Sequence, residues 1–417
     1  MTRSRRAGWG RAVGVLVAWS VLAWAARSEA AALFTTADAA SLVVRAKVEG
    51  STPYPAAKLQ VFHLRVTRSL KGAATEGELI ELAQEMLFAS TKPLFSAGTE
   101  TLVFAVPLPN YSSFAAALPK GTYWRWAERL ATAPDVVALT EPALADAVAG
   151  YFAAQGDAEA LADFLVHAVV GTNARVRDDA LMDIGRRREV APLLDAGRLQ
   201  PVDAWLHDAS RPPLERARAL VQLARGRAAG IVPIAESLAG AAGPLQAPAI
   251  DALITVGQPP AVARLLVLSR SPDEPLRLVA SRGLAAEASP AALDRLAEQL
   301  AQEPSPSVRV AIMEAFGRAP NPRLVTLAAA ELTRSDKTIA GAAAEALVRQ
   351  GTPEAIAALR KTLEEGQPDA RTAAAFALKR INRAETDEIL EDVEKTHPDP
   401  EVRRLCRLAL GESMHEH

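Results

Sequence analysis

Residue types that commonly carry out catalysis are few and scattered in this sequence. The chain has six histidines and one cysteine, and no two histidines are spaced i, i+4 on a predicted helix. It contains no GxxxxGK[ST] phosphate loop, no GxSxG nucleophile elbow and no HExxH zinc motif, and each of these chemistries needs that spacing. We therefore predict a protein that is not an enzyme and that binds no metal or cofactor.

The single cysteine, Cys406, excludes an intramolecular disulfide and a cysteine-based metal cage. It lies at helical spacing from the apolar residues Val402, Leu405 and Ala409. A thiol in such a position packs as a small apolar group, so we predict that it is buried and inert. Near the C-terminus, His415-x-His417 could bind a metal adventitiously, but a frayed terminus is the simpler interpretation.

One short run of aromatic residues could bind a ligand. Tyr123, Trp124, Arg125 and Trp126 are consecutive, and amphipathic rings beside a guanidinium can stack on a sugar or a peptide. On a strand the two tryptophans share one face, while Tyr123 and Arg125 share the other. The tryptophans could instead fill the core of a β domain, and we favour that interpretation because large aromatic side chains are usually buried.

Four arginines recur at the start of predicted helices. Each follows a predicted capping residue by one helical turn, and the pairs are Asn173 with Arg177, Asp273 with Arg277, Ser305 with Arg309 and Asp399 with Arg403. At this spacing the guanidinium can bond to the cap or to the turn of a neighbouring helix, which predicts a structural ladder. The alternative is a stripe of arginines that binds an acidic partner.

These arginines lie within a helical array of regular period. One bulky apolar position recurs about every thirty residues, which is typical of stacked helical pairs. The recurring residues are Ile184, Leu223, Val256, Leu284, Phe316, Leu347, Leu378 and Leu410. Cap-and-proline pairs begin helices in the same register at Ser289, Asn321, Thr352 and Asp399. Left-handed glycines are predicted to end them at Gly185, Gly257, Gly317, Gly351 and Gly411.

The array resembles the short form of the HEAT-repeat family. The residues that carry the resemblance open second helices and precede runs of small apolar residues; they are Val176–Arg177, Leu276–Arg277, Val308–Arg309 and Val402–Arg403. The resemblance implies an α-solenoid of about eight helical pairs over residues 157–411. A helix at residues 140–156 is predicted to precede it, and a flexible tail at residues 412–417 to follow it. Such a resemblance specifies the fold and leaves the function open.

In residues 33–139 the apolar side chains recur at every second position, which is the period of β-strands. We predict strands at 42–49, 58–69, 79–84 and 102–106, a loop with Pro53 and Pro55, and two further candidate strands at 123–128 and 135–139. In the second strand, either both faces are covered or a bulge near Val61 switches them. This pattern predicts a small antiparallel barrel or sandwich. The runs 66–72, 95–98 and 102–104 resemble netrin-type or OB-like β-barrel modules of exported bacterial proteins, which implies a binding scaffold.

The first thirty residues have the three parts of a secretory signal peptide. Arg3, Arg5 and Arg6 are followed by an apolar run at residues 12–26 and by a small-x-small site at residues 28–30. The apolar run is shorter than the ~20 residues that span a bilayer, so we favour cleavage after Ala30 over a retained anchor. The remaining chain has more acidic than basic residues, so we expect it to bind no nucleic acid and not to insert stably in a membrane.

Two enzyme families share short HEAT arrays. Deoxyhypusine hydroxylases place His-Glu pairs inside several repeats to hold iron, whereas the only such pair here is His415-Glu416, beyond the last repeat. Bilin lyases of phycobilisomes act in the cytoplasm, whereas this chain carries a predicted export signal. We therefore expect both resemblances to concern the scaffold alone.

Together these features predict an exported, non-enzymatic binding protein whose HEAT-type solenoid binds a protein or peptide. We expect a monomer. A second hypothesis is a scaffold of the cell envelope that self-associates, and a third is a lyase or hydrolase on a HEAT scaffold. The residues that could contact a partner are Arg177, Arg277, Arg309, Arg403, Tyr123, Trp124, Arg125 and Trp126.

Overall fold

The computed structural model describes residues 33–55, 58–85, 95–109, 118–127, 138–318, 321–334 and 336–411. The predicted signal peptide and the C-terminal tail lie outside these residues. The chain divides into two compact units, an N-terminal unit of residues 1–238 and a C-terminal unit of residues 239–417. The boundaries predicted from the sequence, with a β domain at residues 33–139 and a solenoid at residues 157–411, stay a prediction.

The described strands of the N-terminal unit close into a small barrel. They are β1 (Leu42–Tyr54), β2 (Leu59–Lys71), β3 (Leu79–Glu85), β4 (Glu100–Pro107) and β5 (Trp124–Trp126), and their order around the barrel is β1-β2-β3-β5-β4. Neighbouring strands are antiparallel except β3 and β5, which run parallel. The predicted small barrel is therefore confirmed, with one parallel pair that the sequence did not predict.

Two details of the predicted strands are wrong. β1 continues through Pro53, which pairs with Gln60 of β2, where we predicted a loop. The proline is tolerated because β4 pairs with β1 only as far as Lys47, so this part of β1 has a neighbour on one side. At the other end, Ala138–Thr140 forms a turn of 3₁₀ helix instead of strand. The rest of that candidate strand lies outside the described residues.

Both faces of β2 are covered, as the first of the two alternatives for this strand predicted. Phe62, Leu64 and Val66 are buried on one face. Leu59 and Val61 lie on the other and pack into a second cluster with Ala83, Leu108, Leu118 and Tyr123. The described residues that follow β4, Leu108, Leu118 and Tyr123, therefore supply an apolar layer over this second face of β2.

Helices make up most of the remaining described chain. In the N-terminal unit they are α1 (Leu33–Ala39), α2 (Pro142–Ala154), α3 (Ala158–Val170), α4 (Ala174–Arg186), α5 (Gln200–His207) and α6 (Pro213–Arg225); α7 (Ile231–Gly240) crosses the division between the units. In the C-terminal unit they are α8 (Gln246–Thr255), α9 (Val262–Leu268), α10 (Glu274–Glu287), α11 (Pro290–Leu300), α12 (Pro306–Phe316), α13 (Pro322–Leu332), α14 (Lys337–Gln350), α15 (Pro353–Glu365), α16 (Pro368–Ile381), α17 (Ala384–Thr396) and α18 (Pro400–Leu410). The predicted fold class, mainly α after a small β domain, is confirmed.

In the C-terminal unit the helices alternate between two layers. The second helices of the pairs, α8, α10, α12, α14, α16 and α18, each contact the next, and each first helix from α9 to α17 lies against its own second helix. The predicted anchors supply the core between the layers, and six of the eight are buried in the two units. Val256 and Leu410 are only half-buried, because one follows the last turn of α8 and the other ends α18.

Capping explains where these helices begin. The side chains of Ser289, Asn321, Thr352 and Asp399 each accept a hydrogen bond from a backbone N–H in the first turn that follows, as predicted. At the C-terminal ends the prediction is partly wrong. Gly257, Gly351 and Gly411 have positive φ, whereas Gly185 lies inside α4 and Gly317 has a φ of −71°. Helical φ at these two positions leaves the glycines without the left-handed role.

A polar network fastens α1 to the helices of the N-terminal unit. The Arg187 guanidinium donates to Asp183 at 2.6 Å, to Asp38 at 2.9 Å and to the hydroxyl of Tyr151. The Tyr151 hydroxyl donates in turn to Asp38 at 2.7 Å. Burial raises the pKa of Tyr151 above its ordinary value, and the hydrogen bond to Asp38 raises it further. The phenol therefore stays protonated and keeps its place as a donor.

Candidate interaction surface

The arginines at the start of the second helices are turned inward. In α12, the Arg309 guanidinium donates to the backbone carbonyls of Leu300 and Glu303 at 3.0 and 2.5 Å, and to both carboxylate oxygens of Glu331 at 2.8 and 2.6 Å. Arg309 is buried. The side chain thus closes the turn before its own helix and ties it to the first helix of the next pair.

Arg177 and Arg277 repeat this arrangement in their own units. Arg177 is buried and donates to the carbonyls of Val169 and Gly171 and to the Glu215 carboxylate at 2.7 Å. Arg277 donates to the carbonyls of Ser271 and Pro272 and to both oxygens of Glu303 at 3.0 and 2.9 Å. Burial opposes ionisation of Glu303, but hydrogen bonds from Arg277, Gln299 and the backbone N–H of Ser305, together with the charge of Arg277, lower its pKa, so the pair stays charged.

Arg403 makes the carbonyl contacts of this arrangement, with hydrogen bonds to His397 and Pro398. Two further arginines belong to the ladder although the HEAT resemblance did not mark them. Arg216 donates to the carbonyl of Leu206, and Arg371 donates to the carbonyl of Glu364 and to the Asp399 carboxylate. Both follow an N-cap residue by four positions, so this spacing alone could have found them.

The four residues Tyr123 to Trp126, the last three of which form β5, lie partly in the core and partly at the surface. Trp126 is buried, and its Nε1 donates to Oε1 of Gln84 at 3.1 Å. Tyr123 is also buried, and burial followed by the nearby carboxylate of Glu81 raises its pKa. Trp124 is half-buried and Arg125 is exposed. Of the four residues, only these last two offer substantial surface to a partner.

A Thr–His–Glu hydrogen-bond chain lies across β1, β2 and β3. Nε2 of His63 is 2.9 Å from the Thr52 hydroxyl, and its Nδ1 is 3.4 Å from Oε1 of Glu81. This order resembles a catalytic triad, but the strand register accounts for it, because His63 lies opposite Gly50 in β1 and Glu81 in β3. We interpret it as a cross-strand polar network.

A groove of about 730 Å³ opens in the N-terminal unit between α3 and α5. Its wall carries Glu159 and Asp163, and the Arg198 guanidinium donates to them at 2.5 and 2.7 Å. A third donor of Arg198 reaches the carbonyl of Leu193. The charged side chains Arg198, Glu159 and Asp163 are therefore engaged with one another.

Two exposed apolar side chains distinguish the layer of second helices in the C-terminal unit. Phe376 of α16 is 45% exposed and Leu408 of α18 is 43% exposed. Each lies nine positions after its N-cap residue, so the two occupy the same position in successive, contacting helices. In α12 and α14 this position holds charged residues, Glu314 and Glu345. We refer to Phe376 and Leu408 together as the apolar pair.

Charged side chains flank the apolar pair. Arg349 of α14 and Arg380 of α16 both bind Glu345, at 3.1 and 2.6 Å. These hydrogen bonds outweigh burial and lower the pKa of Glu345. Two guanidiniums thus share one carboxylate, and we call these three side chains the arginine cluster. At the opposite ends of the helices, Lys337 and Asp369 form a pair at 3.2 Å, so the excess positive charge lies toward the C-terminal ends.

The thiol of Cys406 lies inside α18. It is fully buried, and burial followed by the charge of Glu394 raises its pKa to about 11. A thiol with such a pKa forms little thiolate at neutral pH, in agreement with the inert cysteine that we predicted. Among the described residues, no three His, Cys, Asp or Glu side chains are grouped so that they could hold a metal ion. In the same part of the chain, no helix has the length and apolar character needed to cross a membrane.

The fold and this surface define a helical-repeat protein of the solenoid class. The family of HEAT repeats matches residues 293–379 and 325–411, so this part of the chain consists of HEAT repeats. Among curated proteins, no sequence matches the chain.

A comparison with solved structures gives matches that cover part of the chain at low identity. Human deoxyhypusine hydroxylase is 19% identical, covers 62% of this chain and 98% of its own, and gives a TM-score of 0.28. Kap95p in a structure with RanGDP is 13% identical, covers 67% of this chain and 46% of its own, and gives 0.37. A designed armadillo-repeat protein in complex with the peptide (KR)4 is 16% identical, covers 60% and 98%, and gives 0.22.

Proposed function

We propose that this chain is an exported, non-enzymatic binding protein whose HEAT repeats bind a segment of another protein through the second helices of the C-terminal unit. One observation carries the proposal, namely the exposure of the apolar pair Phe376 and Leu408 on that layer. Full burial of an exposed Leu or Phe side chain is worth about 1.5–3 kcal/mol, and these two side chains, which are 45% and 43% exposed, would gain less than half of that when a partner covers them. Adjacent exposed apolar residues are typical of interaction sites.

The arginine ladder supports a binding role by making the repeats rigid. Each buried guanidinium is held by backbone carbonyls on one side and in most repeats by a carboxylate of the next repeat on the other, as for Arg309. A surface that is ordered before binding loses less conformational entropy when the partner arrives. The buried Arg177 and Arg309 act from inside the array, so we do not place them in the partner contact. The exposed Arg125 and half-buried Trp124 stay candidates for a second contact on the barrel.

Export is proposed from the sequence of residues 1–30, with its basic start, apolar run and small-x-small site. Mass spectrometry of the protein recovered from the cell envelope or the medium tests it. We expect the mature chain to begin at Ala31. Recovery of the chain in the cytoplasm with residues 1–30 attached would contradict the proposed export.

A crosslinking and capture experiment with the intact chain tests the binding role. The variant Phe376→Glu/Leu408→Glu should lose the partners that the wild-type protein captures, because each carboxylate would be desolvated in the contact. The control is Val267→Glu, which changes an apolar side chain that is 69% exposed on the first helix α9. The control should capture the same partners as the wild type. Equal capture by all three proteins would contradict the proposal, and sedimentation of the same variants would show whether the apolar pair holds two copies together.

A further inference from the structure

We infer that the apolar pair and the arginine cluster together bind a protein segment that carries an acidic side chain beside a bulky apolar one. This inference rests on the proposed function and names the chemistry of the partner. Apolar contacts with Phe376 and Leu408 would stabilise many different segments in either chain direction. The neighbouring charged side chains determine which segments bind well.

The arginine cluster carries one more positive than negative charge. Arg349 and Arg380 share the single carboxylate of Glu345, and their side chains are 49% and 61% exposed. A guanidinium has five N–H donors, and one carboxylate cannot engage ten of them. Free donors on both side chains are thus available to a carboxylate of the partner, and such charge-assisted hydrogen bonds are stronger than neutral ones.

Two other cations near the C-terminal ends of these helices have carboxylate partners of their own. Lys379 binds both oxygens of Asp387 at 3.0 and 3.1 Å, and Arg407 lies 3.6 Å from Glu394. Each of these two pairs is neutral. The arginine cluster therefore determines where an acidic side chain of the partner would bind. It also determines the direction of the bound segment.

That direction follows from the position of each group along the helices. Arg349 and Arg380 both lie thirteen positions after their N-cap residues, one turn beyond Phe376 in the helix. The acidic side chain of the partner should therefore contact the C-terminal ends of α14 and α16, while the apolar side chain contacts Phe376 and Leu408. A basic residue at the same place would meet two guanidiniums and be repelled.

Selection from a display library of random peptides tests the inference with the intact protein. On the wild type we expect peptides in which Glu or Asp accompanies Leu, Phe or Met. A fluorescein-labelled peptide from this set should bind Arg349→Glu/Arg380→Glu about tenfold more weakly or worse, and selection on that variant should enrich Lys and Arg instead. The control is Arg323→Glu, which changes an exposed arginine on the first helix α13 and should leave affinity unchanged.

The outcomes separate this inference from the proposed function. Peptides that lose affinity with Phe376→Glu but show no charge preference and bind the charge-reversed variant normally would overturn the inference and leave the proposed function intact. Peptides that bind Phe376→Glu/Leu408→Glu as well as the wild type would overturn both. Thermal melting and circular dichroism of each variant check that the fold is retained.

Two other occupants are distinguished by the same assay. The chain's own residues 412–417 contain Glu412, Met414 and Glu416; if truncation after Gly411 were required for peptide binding, this segment would be the occupant and the inference of a separate partner would be wrong. A second copy of the chain would appear as a dimer in sedimentation that Arg349→Glu/Arg380→Glu dissociates. That result would also overturn it. A monomer that binds the peptide equally with and without residues 412–417 supports the inference.

Discussion

The guanidinium of Arg309 and the carboxylate of Glu331 face each other in a two-point contact, with N–O distances of 2.8 and 2.6 Å. Both side chains are only 7% exposed. Because Arg309 begins the second helix α12 and Glu331 ends the first helix α13, the contact joins one repeat to the next. The sequence marks this arginine by its place one turn after a capping serine, and the fold supplies the distant carboxylate.

Replacing Arg309 by alanine should lower the free energy of unfolding by about 2–3 kcal/mol, because the buried Glu331 would lose its two-point contact and keep only the exposed Arg334 as a charged partner. The carbonyls of Leu300 and Glu303 would lose donors as well. Urea denaturation followed by circular dichroism measures the change. The control is Arg323→Ala, which breaks an exposed pair with Asp294 and should cost less than about 1 kcal/mol. Equal effects of the two substitutions would refute a buried structural ladder.

Truncating the anchor Leu347 to alanine should cost about 2–5 kcal/mol, since the side chain is fully buried between α14 and its neighbours. Each repeat in an array is stabilised mainly by adjacent repeats. We therefore expect the variant to unfold in two resolved steps, which calorimetry can detect. The matched control is Val267→Ala at an exposed position, with a change of less than about 0.5 kcal/mol. A single transition at the wild-type temperature in Leu347→Ala would show that the anchor contributes little.

The buried carboxyl of Asp179 should make stability depend on pH. Burial raises its pKa from 3.8 to about 6, although Arg175 lies 2.9 Å away. The folded state therefore binds a proton more tightly than the unfolded state, so its stabilising contribution is present below about pH 4 and is lost as the pH rises through about 6. Relative to Asp179→Asn, the wild type should lose on the order of 3 kcal/mol between about pH 4 and pH 7.

Urea denaturation across this pH range measures the difference between the two proteins. Asp178 and Asp183 also have raised pKa values caused chiefly by burial; both proteins contain them, so the comparison isolates the contribution of Asp179 together with its repulsion from Asp178. Parallel pH profiles of the wild type and Asp179→Asn would mean that Asp179 keeps its ordinary pKa in the folded protein.

Replacing Ala288 by glycine should stabilise the protein by about 0.5–1 kcal/mol. Ala288 caps α10 in the left-handed region, with a φ of 49°, where a Cβ atom is unfavourable. The control is Ala286→Gly, two residues earlier, which lies inside α10 with ordinary helical geometry. That change should destabilise by about 0.5–1 kcal/mol, so chemical denaturation is expected to give opposite signs. The same sign for both would argue against strain at Ala288.

The helical part of the fold could be predicted from the sequence because its determinants are local. Ser289, Asn321, Thr352 and Asp399 accept bonds from residues two or three positions away, and such contacts are fixed by sequence spacing. The anchors recur for the same reason, since each repeat buries the same face. The left-handed glycines were predicted only from their place at the end of a helix. At Gly317 this prediction failed, because the residue that ends the helix keeps a helical φ.

The remaining features depend on contacts between residues far apart in the chain. Asp38 meets Tyr151 and Arg187 across more than a hundred residues, and no local pattern marks such a partner. Which side chains of β5 are buried also depends on the closed barrel, which buries Trp126 and leaves Arg125 exposed. The sequence analysis did not identify the apolar pair, because Phe376 and Leu408 were counted among the ordinary apolar residues of their helices. Both lie nine positions after the N-cap residue, and this shared position could have identified them.

Hydrogen–deuterium exchange of the intact protein, free and with its captured partner or a selected peptide, tests the central claim most directly. The account predicts that binding slows exchange in α16 and α18, around Phe376 and Leu408, and at the C-terminal end of α14. It predicts no change in α9, where the exposed Val267 lies. Protection confined to the β-barrel or to the first helices, with exchange in α16 and α18 unchanged, would contradict it.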